Sequence, residues 1–420
     1  VNVGTDIRAA IGQSRRADIA DWALRLIQAA SPNPPGTTRE VAQEAVSIVR
    51  AAVPDAEVDL YAASAQVHNV VARVRGDGPG RRIILNGHLD TYPIGDASAW
   101  TTNPQGELRD GRLYGRGAAD MKGGIAASIA ALANLARNRL NWPGEAVLTL
   151  AGDEETMGPL GTKWLMDHVP HANGDWAIIA DAGSPRVLRF GEKGFLWIEI
   201  TATGKAAHGA HVHLGDNAIE RLMTALTRLQ ALRDLKVAAP EPVGSEPLAG
   251  AGAGESEVLG KVTVNIGRIA GGTSANLVPA EAAAWVDMRL PVGVPAGIAE
   301  QALAAALELP AVRYRIHRRF EPNYTPPDAA LVKRCATVAD SVLGAPVAVK
   351  MRVGGSDARW FRMAGVPTVV YGPTPHGMGG PDEWVDLSEL DQVARVHALT
   401  AFDMLTNHGS PDRSEFPSAY

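Results

Sequence analysis

A chain of 420 residues is long for one domain and can bury a large core, so two domains are the starting expectation. Apolar residues make up 46% and charged ones 20%, the balance of a globular protein, and a net charge of −6 without a long basic run leaves nucleic-acid binding no electrostatic footprint. A single cysteine, Cys335, excludes an internal disulfide framework and a thiolate zinc cage, and its setting in ALVKRCATVADSVL is that of a small core residue.

The amino-terminal stretch lacks the basic-then-apolar pattern of a signal peptide, and no run reaches membrane-spanning length, so a cytoplasmic protein with no membrane partner is expected. Asp18 to Ala30 carries apolar residues at helical spacing until SPNPPGTT breaks the pattern. A second helix runs through Ile48 and Ala52, and VHNVVARVRG follows as a strand. Arg82 to Leu85 is a short apolar run with the look of a buried strand, delivering His88 and Asp90 at its carboxyl end. Side chains two apart in an extended segment share a face, so this imidazole and carboxylate can touch. That spacing suits a metal-ligating His whose ring is oriented by a carboxylate. Asp120 sits in the glycine-rich turn DGRLYGRGAADMKGG, directly before the helical run IAASIAALANLA, with its carboxylate available to bridge metal ions. Taken singly, each residue has an ordinary reading: a polar group at a loop, or a helix N-cap.

The run AVLTLAGDEETMGPLGT is a buried strand ending in Asp153, Glu154 and Glu155. Three consecutive acids raise one another's pKa unless solvent or a cation relieves them, and these follow the carboxyl end of a strand, where open α/β sheets place ligands. DWAIIADAGSP repeats the arrangement with Asp181. From residue 189 to 321 the texture changes to a βαββαβ order, a two-layer unit inserted between segments 1–188 and 322–420. Within it, VAAPEPVGSEPLAGAGAGESE reads as flexible loop. GKAAHGAHVHLGDN carries His208, His211 and His213, able to ligate metal or to face solvent, and Asn276 and Arg289 lie near strand ends. After the insertion, GGSDAR with Ser356 is a glycine-rich turn before a helix, which can hold an anion on backbone N–H groups. TPHGMGGPDEWVDL, with His376, precedes a last helix and the polar tail NHGSPDRSEFPSAY, expected to be mobile unless docked.

The motifs GHLDTYP, DGRLYGRGAADMKGG, GDEETMGPLGT, HGAHVHLGDNAI, GGTSANLVP and GGSDA stand in the order found in co-catalytic zinc amidohydrolases and metallopeptidases. The chain resembles that family, which includes aminoacylases, acetylornithine deacetylase, carboxypeptidase G and succinyl-diaminopimelate desuccinylase, from about His88 to Glu383. The resemblance implies an α/β catalytic domain, with a mixed sheet and helices on both faces, plus an inserted lid and dimerisation domain. His88 and Asp120 would ligate metal, Asp120 bridging two ions about 3.5 to 4 Å apart, with Glu155 and Asp181 completing one site each. Asp90 would fix the His88 tautomer, and Glu154 would be the general base. The ions implied are Zn²⁺, or Mn²⁺ or Co²⁺, one or two per subunit. His208 would stabilise the oxyanion, a contact whose loss typically costs about 100- to 1000-fold in rate. Asn276, Arg289, Ser356 and His213 would contact a small carboxylate-bearing substrate, and the assembly would be a homodimer or larger.

One departure stands out. Relatives end with a metal-ligating His four residues before a Glu, and counting back from Glu383 reaches Gly379. Either the loop PHGMGGPDE is remodelled so that His376 ligates, or the second ion site is short of a ligand. The leading expectation is hydrolysis of an amide-type C–N bond. A second is removal of an amine or carbamoyl group from an aromatic or ring substrate, with which the odd loop and Trp197, Trp285, Trp360 and Trp384 are compatible. A third is a non-catalytic binding homologue, against which the intact Glu154 and Glu155 argue.

Overall fold

The computed structural model describes residues 3–236, 239, 243 and 255–407. Most of the loop expected to be flexible and the polar tail lie outside the described residues. The chain divides into two compact units: one holds residues up to Phe190, Thr325–Val349 and Ser356 onward, the other Gly191–Tyr324 and Lys350–Gly355.

The first unit is built on a mixed sheet whose central strands, Glu145–Ala151, Arg82–His88, Trp176–Ile179 and Thr368–Val370, run parallel to one another. His68–Arg75 pairs antiparallel with Glu145–Ala151 on one side, and Glu57–Ala62 adds antiparallel beyond it. The central strands read as continuous apolar runs because both their faces are covered. Ile84, on one face, packs with Leu165, Phe361 and Val366 from beneath helices Thr162–His168 and Ala358–Met363. The opposite face of the same strand meets helix Gly123–Arg137: a Cβ added at Gly87 would lie 2.8 Å from Met121 and 2.9 Å from Ile125. Glycine there lets strand and helix approach closely. Residues Gly123–Leu135 of that helix are buried on all sides, as an Ala-rich helix with no polar face must be.

Parallel pairing decides where the polar residues go. His88 is registered opposite Ala151, and Asn86 opposite Ile179, so three strands end at one edge of the sheet. The segments carrying Asp90, the acids at 153–155 and Asp181 all leave from that edge, where α/β sheets bind ligands.

The second unit is a four-stranded antiparallel sheet in the order Thr263–Gly271, Glu281–Leu290, Gly194–Thr203, Val312–Phe320. Alternate residues Leu196, Ile198, Ile200 and Ala284, Val286, Met288 face Leu222, Leu226 and Leu303 of helices Ala218–Gln230 and Ala296–Ala306. The strand–helix order is βαββαβ in two layers, and period-two alternation explains why each strand here is apolar on one face only. Lys350–Gly355 joins this unit because the Lys193 N–H donates to the Arg352 carbonyl at 3.3 Å. No helix of the described residues is long and apolar enough to cross a membrane.

Candidate metal centre

Among the described residues, one group of His, Cys, Asp and Glu side chains brings three ligand atoms within 4.8 Å of one another: His88, Asp120 and Glu155. Strand Arg82–His88 supplies the first, and an irregular turn at Ala118–Lys122 the second. The turn that follows Glu145–Ala151 supplies the third. His88 Nδ1 donates to the Asp90 main-chain carbonyl at 2.9 Å, while Nε2 lies 3.0 Å from Asp120 Oδ1. Burial opposes charge on this ring, but the hydrogen bond to Asp120 and the charges of Asp120, Glu154 and Asp90 together hold its pKa well above the usual histidine value. An imidazole with an oxygen acceptor at each nitrogen wants a second positive centre. A cation supplies one through the Nε2 lone pair.

Glu155 makes the same demand. Burial, then the charges of Asp120, Glu154 and Asp90, push its pKa up to about 10, and its buried Oε1 has no hydrogen-bond partner. A buried polar atom left unpaired is costly, and imidazole with carboxylate oxygens is a donor set that suits a divalent metal. The residues therefore fit a metal ion.

Asp90 differs from expectation in its contacts. Its carboxylate stays 3.6 Å from His88 Nδ1, so the ring is oriented by the Asp90 backbone instead. The carboxylate accepts the main-chain N–H groups of Glu154 at 3.0 Å and Glu155 at 3.0 Å, together with Asn33 Nδ2 at 3.0 Å. Two adjacent N–H groups at a sharp turn are better donors to an anion than one shared imidazole edge. Asp153 shapes the same turn, accepting from Thr156 Oγ1 at 2.6 Å and the Leu160 N–H at 3.0 Å. Glu154 is 5% exposed; burial lifts its pKa to about 8, the charges of His88 and Arg359 opposing the rise. Arg359 Nη1 donates to Glu154 Oε1 at 3.1 Å. Asp181 is buried and close enough for its charge to act on Glu154.

Glu383, known from the sequence only as a counting mark, is a clamp. It pairs with Arg116 at 2.6 Å and accepts the N–H groups of Ala119 at 3.0 Å and Asp120 at 3.2 Å, so it fixes the turn that presents Asp120. Tyr92, 45% exposed, donates its phenol to Glu155, and burial followed by that acid's charge raises its pKa, keeping it a neutral donor. Its ring also lies 3.9 Å from where a Cβ on Gly379 would stand. Tyr92 lies in GHLDTYP and Glu383 in PHGMGGPDE, but neither pattern tells what its side chain holds.

Three expected positions land elsewhere. The His376 ring stacks flat on Trp384, centroids 3.7 Å apart and 3° between planes, and it does not join the three-residue group. Main-chain pairing of the two residues holds that geometry. Ser356 is fully buried with its hydroxyl accepting the Ala358 N–H at 3.3 Å, which leaves it no surface for substrate; the turn is packed inward rather than opened to an anion. Arg289 lies over the Phe195 ring at 4.7 Å and donates its Nε to Asp287 at 2.9 Å. In the second unit the main chains beside His208 and at Asn276 are joined, the Gly209 N–H donating to the Asn276 carbonyl at 2.7 Å, and the side chains of His208, Asn276 and His213 are exposed.

Residues 84–403 match the pattern of peptidase family M20/M25/M40. The chain is 31% identical over 346 residues to succinyl-diaminopimelate desuccinylase of Rhodospirillum centenum, covering 79% of this chain and 83% of that one. In fold it is similar to the M20 family metallo-carboxypeptidase Sso-CP2 of Sulfolobus solfataricus, with a TM-score of 0.75 at 18% identity over 90% of this chain and 97% of that one. It is also similar to the Bacillus subtilis YXEP protein, a dinuclear metal-binding peptidase of the same family, at a TM-score of 0.65 and 16% identity over 93% and 98% of the two chains. A three-donor metal cluster at the sheet edge, an acid beside it and a match through most of the length agree: the chain belongs to peptidase family M20/M25/M40 and is a metal-dependent hydrolase.

Proposed function

We propose that this chain hydrolyses an amide C–N bond of a small carboxylate-bearing molecule, with Glu154 as general base beside one or two divalent cations. The observation that carries the reading is the adjacency of two acids on one turn: Glu155 joins His88 and Asp120 within 4.8 Å, while Glu154, outside that group, is bonded to Arg359. His88, Asp120 and Glu155 would hold a cation, and Asp181 is the candidate ligand for a second; Zn²⁺ suits this set, and Mn²⁺ or Co²⁺ would also be accepted. Such a cation, when bound, polarises a carbonyl and lowers the pKa of adjacent water. Glu154 takes a proton from the attacking water and returns it to the departing nitrogen, so that water and amide become a carboxylic acid and an amine. Asp90 keeps the base on station by accepting the N–H groups of Glu154 and Glu155.

The desuccinylase relatives support an acyl or amine part that carries a carboxylate. Within the second unit, His208 is the proposed oxyanion donor, and Asn276, His213 and Arg289 are proposed substrate contacts, Arg289 exchanging Asp287 for the substrate's carboxylate. A homo-oligomer formed through this unit belongs to the same proposal. The ring-substrate alternative gains no support from the tryptophans, which are engaged by their own chain: Trp384 by His376 and Arg112, Trp285 by Arg268, Trp360 by Arg359.

The test is turnover of a panel of N-succinyl and N-acetyl amino acids. Activity should vanish with a chelator and return with Zn²⁺ or Mn²⁺, and Glu154→Gln should lower kcat by about 10²- to 10⁴-fold with bound metal unchanged. Chelator-insensitive turnover, or an active Glu154→Gln protein, refutes the reading.

A further inference from the structure

Below the metal cluster lies a buried polar chain that none of the steps above uses. Asn86 Nδ2, on strand Arg82–His88, donates to Thr149 Oγ1 and to Thr162 Oγ1, both at 3.0 Å. Thr162 Oγ1 in turn donates to Asp357 Oδ2 at 2.7 Å. Asp357 Oδ1 stands 3.7 Å from Arg359 Nη2. Every member is at most 3% exposed, and a charge so deep is tolerated only when paired and hydrogen-bonded.

The last link leaves this chain for the reaction site. Arg359 Nη1 carries two hydrogens, and both are committed: one to the Ser356 carbonyl at 2.6 Å, the other to Glu154 Oε1 at 3.1 Å. The short bond to a main-chain oxygen fixes the plane of the guanidinium, and that plane aims the second hydrogen. Among the described residues, Arg359 is the only hydrogen-bond donor to the Glu154 side chain. A glutamate has three rotatable side-chain bonds, so without this contact the carboxylate could turn either oxygen, or neither, toward a water.

We infer that Arg359 is a positioning residue for Glu154: it holds Oε1 and thereby leaves Oε2 as the one oxygen that exchanges a proton with water and leaving group. The inference rests on the reading of Glu154 as general base. Arg suits the task because its planar fork serves two acceptors in fixed directions, which a lysine ammonium on a flexible stem does not. Asp357, with its own partner in Thr162, places a carboxylate 3.7 Å from the far side of the guanidinium. The GGSDAR turn therefore serves the base from within the fold.

The experiment compares Arg359→Lys, Glu154→Gln and the double variant on the best-hydrolysed N-succinyl or N-acetyl amino acid, with bound zinc measured by elemental analysis and Tm by calorimetry. A misplacement of about 1 Å costs on the order of 100-fold, so Arg359→Lys should lower kcat by about 10- to 100-fold, with KM within about threefold and zinc content unchanged. In the Glu154→Gln background the same change should cost nothing further, since the two act as one unit. A purely structural role for Arg359 would instead move Tm and leave kcat within about twofold, which overturns the inference while Glu154→Gln stays inactive and the base reading stands. An active Glu154→Gln protein overturns both. Should Arg359→Lys not fold, a crystal structure of the wild-type chain with Zn²⁺ decides: Nη1 still bonded to Glu154 Oε1 supports the inference, and separation of the two overturns it.

Discussion

Replacing Glu383 by Ala removes the carboxylate on which the Asp120 turn rests. In the folded chain Glu383 and Arg116 form an ion pair at 2.6 Å with side chains 1% and 7% exposed. Removing one member of such a buried pair leaves an uncompensated charge and costs about 3–5 kcal/mol. Arg116 keeps its bonds to the Gly379 and Gly380 carbonyls, at 3.1 and 3.0 Å, so the loss should fall near the lower end, about 3 kcal/mol. In a unit of this size each kcal/mol moves Tm by about 2 °C, which gives a drop of about 6 °C. The effect on the metal is separate. The N–H groups of Ala119 and Asp120 lose their acceptor, the turn loosens, and cation affinity should fall by about 10- to 100-fold, the usual result of losing a group that orients a ligand. Calorimetry on chelator-treated protein measures the first effect, and competition with a chromophoric chelator the second. Glu383→Gln is the internal control: its amide oxygen can still accept both N–H bonds, so it should lose stability while retaining most of the cation affinity. Glu383→Ala protein that melts with the wild type and binds Zn²⁺ as tightly would refute the reasoning.

Tyr92→Phe removes the phenol that Glu155 accepts while keeping the ring beside Gly379; Zn²⁺ affinity should fall by about tenfold with Tm almost unchanged, read by the same chelator competition. An unchanged affinity would show that Glu155 is held without it. His397 gives a pH dependence remote from the metal. Its Nε2–H donates to the Tyr371 carbonyl at 2.7 Å and its Nδ1 lies 3.3 Å from Ser128 Oγ, and burial lowers its pKa from 6.5 to about 4. A folded-state pKa below the unfolded one means that the stabilisation is complete above pH 6.5 and is lost as pH falls toward 4, by about 3 kcal/mol over that interval. His397→Gln should flatten that slope in denaturant titrations of the metal-free protein; identical slopes would show that His397 takes up its proton without unfolding.

The candidate site residues were legible where chemistry and local pattern coincide. His88, Glu154, Glu155 and Asp181 each follow an apolar run that could only be an interior strand, and parallel pairing then brings the ends of those runs together. What holds them was not legible. Glu383 reaches Asp120 across 263 positions, and no spacing rule connects residues so far apart. The sequence points to the Asp90 side chain beside His88, yet the Asp90 backbone makes that contact, because the carboxylate finds two N–H donors that exist only once the Glu154 turn has formed. The glycines of GGSDAR suggest an open anion turn; whether Ser356 and Arg359 point out or in depends on the helix and strand they pack against. The strand Glu57–Ala62 escaped for a simpler reason, since one buried side chain, Val58, shows no alternation.

The bond between Glu383 and the Asp120 turn also bears on how the enzyme is made. A ribosome delivers His88, Asp120 and Glu155 well before Arg359 and Glu383. A nascent product that already carries those three still lacks the carboxylate that accepts the Asp120 N–H and the guanidinium that bonds Glu154, so the turn and the acid beside it are set only when the later segments arrive.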